Sequence, residues 1–323
     1  VGYYAGLSVT TGIQNTLIGG TSGDAITTGQ QNTGVGRASL GATTTANNNS
    51  ALGYYALTSN TTGADNTAIG ASALGANTTA SNNTAVGKSA LLDNTTGTLN
   101  TALGVQALAN NTTGANNTSV GVNSLYTATT AANNTAVGYL SLFANTTGDS
   151  STAVGKDSMK TNTTGRFNSA LGYESLALNT TGANNVALGK AALYANTTAS
   201  NNTAVGFQAL LANTTGTDLA AVGRNALNVN TDGIANTAIG DHAGYTTTTG
   251  DYNTFLGKSA HAGAAGNSNC NIIGYNVSGA QGYTTIGISG NDIRAAHGNV
   301  TWATVSDERY KKDIVDSTAG LSF

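Results

Sequence analysis

The stretch SDERYKKDI near the end of the chain holds the residues best suited to covalent chemistry. Ser306 precedes Lys311 by five residues, and Asp307 and Arg309 lie between them. A serine hydroxyl becomes a nucleophile when a base lies beside it, and a desolvated lysine amine can be that base. The spacing could bring the two side chains together across a turn or a helix start. Taken alone, this charged stretch favours a second interpretation, a solvated polar linker.

Aromatic and cationic side chains recur in one column of the sequence, directly after glycines that follow one another at a constant interval. These members of the post-glycine column are Tyr3, Arg37, Tyr54, Lys88, Tyr139, Lys156, Tyr173, Lys190, Phe207, Arg224, Lys258 and Tyr275. Such side chains could stack on the sugars of a cell-surface glycan. The ligand-binding candidates are Tyr54, Lys88, Tyr139, Lys156, Tyr173, Lys190 and Phe207. The sequence favours an alternative role, in which their long stems cover a seam between packed chains.

Other kinds of site have little support in the sequence. The three histidines, His242, His261 and His297, do not have the number and spacing of metal ligands. The one cysteine, Cys270, cannot form a disulfide within the chain. The carboxylates are scattered, so no glycosidase-like pair is expected. With a net charge of −3 and no basic patch, the chain is not expected to bind nucleic acid. We therefore expect no cofactor, no metal and no conventional active site.

All of these residues belong to a sequence repeat or follow it. The repeat has a period of seventeen residues, as from Gly70 to Gly87, and contains no insertion or deletion. One glycine recurs at this interval from Gly2 to Gly274, and we call it the phase glycine. The residue before it is always Val, Ile or Leu. Four residues before it is usually Asn, with exceptions that include Ser151, Leu219 and Cys270. Leu or Met stands four residues after it from Leu40 to Leu227, and Thr-Thr usually follows at the eighth and ninth positions. An exact period predicts a solenoid in which each residue stacks on its equivalent.

The residue types favour a β-solenoid, because Asn, Thr and Gly are poor helix formers and good turn formers. A coil of this length has at most ~56 Å of contour, which suits two or three short strands with tight corners. We expect the aliphatic residue before each glycine and the Leu after it to point into the coil. The Asn column should stack as a ladder of hydrogen-bonded amides. At ~4.8 Å per coil, the rod should be about 77 Å long.

The composition indicates that the chains associate. Only 8% of the residues are charged and 6% are aromatic, and each coil has a thin apolar core. We therefore expect several chains, most simply three around an axis, to pack together. No apolar run approaches the length of a membrane span.

The stretch SDERYKKDI resembles the start of the intramolecular chaperone domain of phage tail fibres and tailspikes, the peptidase S74 family. The matching positions are Ser306, Asp307, Arg309, Lys311 and Ile314, and Trp302 lies where such proteins often have an aromatic residue. The resemblance implies a domain that aligns three chains and then cuts itself off, with Ser306 as nucleophile and Lys311 as base. With this resemblance, we prefer self-cleavage at Ser306 to the interpretation of the stretch as a solvated polar linker. The family's domain is much longer than the short segment that follows Ser306, so we expect this chain not to cleave as it stands.

The repeats NTAVG, NSALG and NTAIG resemble the head repeats of trimeric autotransporter adhesins, although those repeats are usually shorter. The resemblance implies an all-β, left-handed parallel β-solenoid or β-roll, homotrimeric and fibrous. We predict a solenoid shaft over residues 1–283, a connector over 284–305 and the truncated start of the chaperone domain over 306–323.

These observations favour a structural and adhesive fibre, the shaft of an extracellular phage tail fibre that attaches the virion to its host. It would have no enzymatic activity beyond a single self-cleavage at Ser306 in the full-length protein. A trimeric adhesin or filament on a bacterial surface is the alternative. An ice-binding β-solenoid is the second alternative, because flat threonine ladders can order water. If the Thr-Thr pair lay in a strand, only one of its two columns could face ice.

Overall fold

The chain folds as a parallel β-solenoid, as the period predicts. The computed structural model describes residues 2–298 and the backbone of residues 303–304. About 16 coils of equal length follow one another, and the described residues contain strands and turns but no helix. In this part of the chain, accordingly, no helix has the length and hydropathy to cross a membrane.

Each regular coil contains one strand of three residues, and fifteen such strands follow in succession. Strands β1 to β15 are Thr16–Ile18, Thr33–Val35, Ser50–Leu52, Thr67–Ile69, Thr84–Val86, Thr101–Leu103, Thr118–Val120, Thr135–Val137, Thr152–Val154, Ser169–Leu171, Val186–Leu188, Thr203–Val205, Ala220–Val222, Thr237–Ile239 and Thr254–Leu256. Strands β16 to β21 are His261–Ala262, Asn271–Tyr275, Ser278–Gly279, Tyr283–Ile288, Asn291–Ala296 and Ala303–Thr304.

The strands stack in a single parallel ladder with constant register. Each residue of β1 to β15 pairs with its equivalent in the next repeat, as Thr84 does with Thr101. The ladder continues from β15 to β17 and from β17 to β19, where the offset shortens to that between Asn271 and Thr284. Strand β20 then pairs antiparallel with β19, which ends the parallel stack.

The prediction of two or three strands per coil is wrong, because most of each coil consists of turns. These turns stack as regularly as the strands do. Leu91 N donates to Ala107 O at 3.0 Å, and Thr95 N donates to Thr112 O at 3.0 Å. Bonds of this kind hold one coil to the next outside the sheet, so short strands are sufficient for a continuous rod.

The interior contains the alanine at the centre of each strand and the leucine four residues after each glycine. Ala85 and Leu91 are both fully buried, and Met159 takes the leucine's place in its coil. The aliphatic residue before the glycine was predicted to point inward, and this is wrong: Leu103 is 47% exposed. Successive side chains of a strand face opposite sides, so a buried central alanine places both of its neighbours outside.

Two ladders of buried asparagines run along the rod. In the predicted ladder, Asn100 N donates to Asn83 Oδ1 at 2.9 Å, and Asn83 Nδ2 donates to Gly97 O at 2.9 Å. A second ladder, which the sequence analysis did not identify, stands seven residues after the glycine. There Asn94 Nδ2 donates to Asn77 Oδ1 at 3.0 Å and to Gly97 O at 2.9 Å. The carbonyl of Gly97 therefore joins the two ladders.

The phase glycine is required by both conformation and packing. Gly70 has a φ of 133°, and a Cβ placed on it would lie 2.5 Å from the carbonyl oxygen of Gly87 in the next coil. Any side chain in this column would therefore push neighbouring coils apart, which explains why the glycine occurs in every repeat.

Phe167→Asn is expected to raise the free energy of unfolding by about 1 kcal/mol, because Phe167 is held in the left-handed region that asparagine tolerates better. Its φ is 58°, and Asn133 and Asn201 occupy the same column with φ of 61° and 63°. Urea unfolding of the two proteins measures the difference. Phe167→Ala removes the same exposed ring without the asparagine's local hydrogen bonds. An equal gain from both variants would contradict this explanation.

Candidate functional site

The post-glycine column lies on the outside of the rod. The seven candidates in it are all exposed: Tyr54, Lys88, Tyr139, Lys156, Tyr173, Lys190 and Phe207. The phase glycine turns the chain at the end of each strand, so the following side chain projects from that corner into solvent. Because every coil turns in the same way, these side chains lie along one line.

Four of the candidates form a continuous run of cation–π contacts. Lys156 Nζ lies 5.1 Å from the centroid of the Tyr173 ring, and Lys190 Nζ lies 5.6 Å from the same ring on its other side. Lys190 Nζ also lies 5.8 Å from the centroid of the Phe207 ring. Cations within about 6 Å of a ring face are attracted by its quadrupole. The column is therefore ordered over three coil intervals.

The other three candidates do not join this run. Tyr54 lies under Arg37, whose guanidinium carbon is 5.8 Å from the ring centroid. Lys88 and Tyr139 have no cation–π partner among the described residues. Lys88 lies between Ala71 and Val105 in the column. Tyr139 lies between Val122 and Lys156, but the Lys156 ammonium lies over the Tyr173 ring instead. The structure thus divides the predicted set into one assembled run and isolated members.

Acidic residues beside the run stabilise the protonated forms of its members. Lys156 Nζ lies 2.6 Å from Asp157 Oδ2, and this hydrogen bond raises the pKa of the lysine. A hydrogen bond with Glu174 raises the pKa of Tyr173, which keeps its hydroxyl protonated. At neutral pH these two members of the run therefore stay protonated, as an ammonium group and a phenol.

Further along the column, Asp241 replaces the aromatic or cationic residue and contacts three basic side chains. Arg224 Nε lies 2.9 Å from Asp241 Oδ1, and Lys258 Nζ lies 3.9 Å from Oδ2. His242 Nδ1 lies 2.9 Å from Oδ1. The hydrogen bond from Arg224 and that from His242 lower the pKa of this carboxyl group. The cluster is a solvent-exposed charge network with its cationic groups already paired.

A second surface feature is the aliphatic stripe, defined as the column of Val, Ile and Leu residues that precede the phase glycines. Ten of these side chains are exposed by more than a third: Ile18, Leu52, Ile69, Leu103, Leu171, Leu188, Val222, Ile239, Leu256 and Ile273. Over β9 to β11 the stripe borders an apolar groove of about 350 Å³. The sequence did contain a signal for this position. Side chains alternate along a strand, so the residue three positions after a buried Asn faces outward.

The remaining titratable residues in the described part of the chain do not form a cluster of metal ligands. Across residues 2–298, no three His, Cys, Asp or Glu side chains converge as metal ligands would. Cys270 is buried in the Asn column, where burial raises the pKa of its thiol. The predicted self-cleavage residues Ser306, Asp307, Arg309 and Lys311 lie outside the described residues, as does Trp302.

Comparison with known proteins gives no assignment: no protein-family model, curated protein or solved structure matches this chain.

Proposed function

We propose that this chain is the shaft of a trimeric fibre that attaches a phage to its host surface. The observation that carries the proposal is the aliphatic stripe. It lies on one side of a ladder whose register does not change over fifteen strands. An uninterrupted apolar line along the rod fits a partner with the same repeat, and another copy of this chain has that repeat.

The proposed association has an adequate driving force. Fully burying one Val, Leu or Ile side chain contributes about 1.5–3 kcal/mol. The exposed members of the stripe range from 37% exposed at Ile273 to 51% at Leu52. Monomeric proteins rarely expose continuous apolar patches of more than a few hundred Å². Three left-handed rods with their stripes facing a common axis would cover all of this surface at once.

The attachment role rests on the post-glycine column. It is one residue beyond the phase glycine, so it borders the stripe and would stay at the edge of the proposed seam. The run from Lys156 to Phe207 combines aromatic faces with ammonium groups, a combination suited to the faces and hydroxyl groups of sugars. A cell-surface glycan is therefore the receptor class that we propose.

Assembly by a C-terminal chaperone is part of the same proposal. In the full-length protein, Ser306→Ala is expected to prevent the loss of the C-terminal piece, because it removes the proposed nucleophile. Denaturing electrophoresis and intact mass would show one long product for the variant and two products for the wild type. Ser317→Ala is a matched control that should cleave as the wild type does. Equal sizes for wild type and Ser306→Ala would contradict the role of Ser306.

The whole proposal can be tested in the native source with a gold-labelled antibody against the repeat, viewed by electron microscopy. Gold on virion tails supports the tail fibre. Gold on cell surfaces would overturn the tail fibre in favour of the alternative, a bacterial adhesin or filament. Label inside cells would contradict both.

One observation favours the second alternative, an ice-binding solenoid. The Thr at the start of most strands faces outward, two residues before the aliphatic stripe, and forms its own straight column. The Thr-Thr pair, in contrast, lies in a bend, and its first hydroxyl is bonded between coils: Thr95 Oγ1 donates to Thr112 O at 3.0 Å. A thermal hysteresis measurement on the purified chain decides this alternative, because an ice-binding face would depress the freezing point below the melting point.

A further inference from the structure

A cavity of about 160 Å³ opens on the side of the rod, lined by residues of three successive coils. It contains Asp157, Lys160, Glu174, Ala177 and Tyr194, together with Thr161 and Leu178. None of these residues belongs to the aliphatic stripe, so the proposed trimer seam leaves the cavity open. Only 8% of the residues in the chain are charged, yet three of them converge here.

The cavity is a slot that forms where a small side chain stands between two large ones of the same column. Lys160, Ala177 and Tyr194 stand five residues after successive phase glycines, and Ala177 is 4% exposed. In the same column, Tyr126 and Phe143 stack with ring centroids 5.5 Å apart and an angle of 6° between planes. With coils ~4.8 Å apart, the space above Ala177 is about as thick as one ring. A ring entering there would stack on Tyr194 as Phe143 stacks on Tyr126.

One wall of the slot is built from a buried carboxylate. Asp157 is 8% exposed, and its Oδ1 has no hydrogen-bond partner among the described residues. Lys160 Nζ lies 3.5 Å from this oxygen as an ion pair, while Oδ2 is held by Lys156. Glu174 stands in the next coil at the equivalent position and also lines the slot. A buried carboxylate oxygen without a hydrogen bond is costly, and a hydroxyl donor would satisfy it.

The charges around the slot balance. Lys156 and Lys160 oppose Asp157 and Glu174, so neither an anionic nor a cationic ligand gains from net charge. The remaining preferences are a flat face against Tyr194, hydroxyl donors for the carboxylates and an acceptor for the Lys160 ammonium. A purely aromatic ring would satisfy only the first of these.

We propose that this slot binds one neutral pyranose unit of a surface glycan, with the apolar face of the sugar on Tyr194. Its hydroxyls donate to Asp157 and Glu174, and one hydroxyl oxygen accepts from Lys160. The inference deepens the proposed attachment function and depends on it for the choice of a surface glycan as the natural source of the ligand. It adds a defined subsite beside the run from Lys156 to Phe207.

Saturation-transfer NMR on the intact chain tests the slot. The probes are the methyl glycosides of glucose, galactose, mannose and N-acetylglucosamine. We expect at least one glycoside to bind. Tyr194→Ala should weaken that binding by about tenfold through the loss of stacking. Ala177→Phe should abolish it by filling the slot with a ring that this column accepts at Phe143. Tyr126→Ala, in the same column outside the slot, should bind as the wild type does.

Two results would overturn the inference: no glycoside binding at millimolar concentration, or binding that Ala177→Phe leaves unchanged. Circular dichroism of each variant confirms that the solenoid is intact. A cell-attachment assay with fibres separates this inference from the proposed function. If wild-type fibres attach to cells but neither they nor Ala177→Phe fibres bind a glycoside, the slot inference fails and the attachment role stands. If the wild type binds a glycoside in the slot but no cell surface, the attachment role fails and the slot stands.

Discussion

The triple variant Val86→Asp, Leu103→Asp and Val120→Asp is expected to convert the proposed trimer into single chains. These three residues are successive members of the aliphatic stripe. Association would bury nine carboxylates along one axis, and each buried, unpaired charge costs several kcal/mol. Light scattering should therefore give a mass near the 32.0 kDa of one chain for this variant, and three times that mass for the wild type.

The comparison needs a variant with the same added charge elsewhere. Thr96, Thr113 and Thr130 occupy one exposed column in the Thr-Thr bends of three successive coils, away from the stripe. Replacing all three with aspartate should leave the trimer intact. The circular dichroism of both triple variants should match that of the wild type, because all six side chains lie outside the coil. A wild-type mass equal to one chain would contradict the trimer itself.

Asn100→Ala is expected to destabilise the solenoid by about 2–4 kcal/mol, because a buried polar group that loses its partner costs about 1–3 kcal/mol. Asn100 Oδ1 accepts from Asn117 N at 3.0 Å and from Asn117 Nδ2 at 3.1 Å. Both bonds disappear in the variant, while its methyl group cannot replace them. Urea unfolding measures the loss, and hydrogen exchange should show faster opening of the coils on either side.

The ladder itself contains a site for the opposite experiment. Leu219 is 2% exposed and interrupts the Asn column. The backbone N–H of Asn236 therefore has no side-chain oxygen in the preceding coil to which it could donate a hydrogen bond. Leu219→Asn should restore that acceptor and raise the free energy of unfolding by about 1 kcal/mol. If Asn100→Ala were neutral and Leu219→Asn destabilising, the amide ladder would not be a source of stability.

The sequence by itself determined the coil, the parallel stacking and the register. These follow from a constant and uninterrupted period, since any insertion would move every later residue off its equivalent. It also predicted that the Asn column stacks as a hydrogen-bonded ladder and that the Leu column points into the coil, because a column of amides or of leucines gains most when its members stack. Residues such as Asn83 and Leu91 were therefore placed correctly without coordinates.

The tertiary structure decided which face of the strand is outside. An aliphatic side chain is usually placed inside on composition alone, yet the small Ala85 is inside and Val86 is outside. The reason is geometric: Asn83 must face inward to join its ladder, and strand alternation then fixes the next three residues. The leucine column fills the remaining interior, so the coil has room only for alanine in the strand.

The tertiary structure also decided the turns and the slot. Leu91 has a φ of 50°, a left-handed conformation that a leucine does not prefer locally. Its backbone bond to Ala107 in the next coil compensates for that preference, and no local pattern predicts such a bond. The space above Ala177 likewise exists only because Lys160 and Tyr194 stack on either side of it. Spacing alone predicts columns, whereas cavities and contacts depend on which side chains fill them.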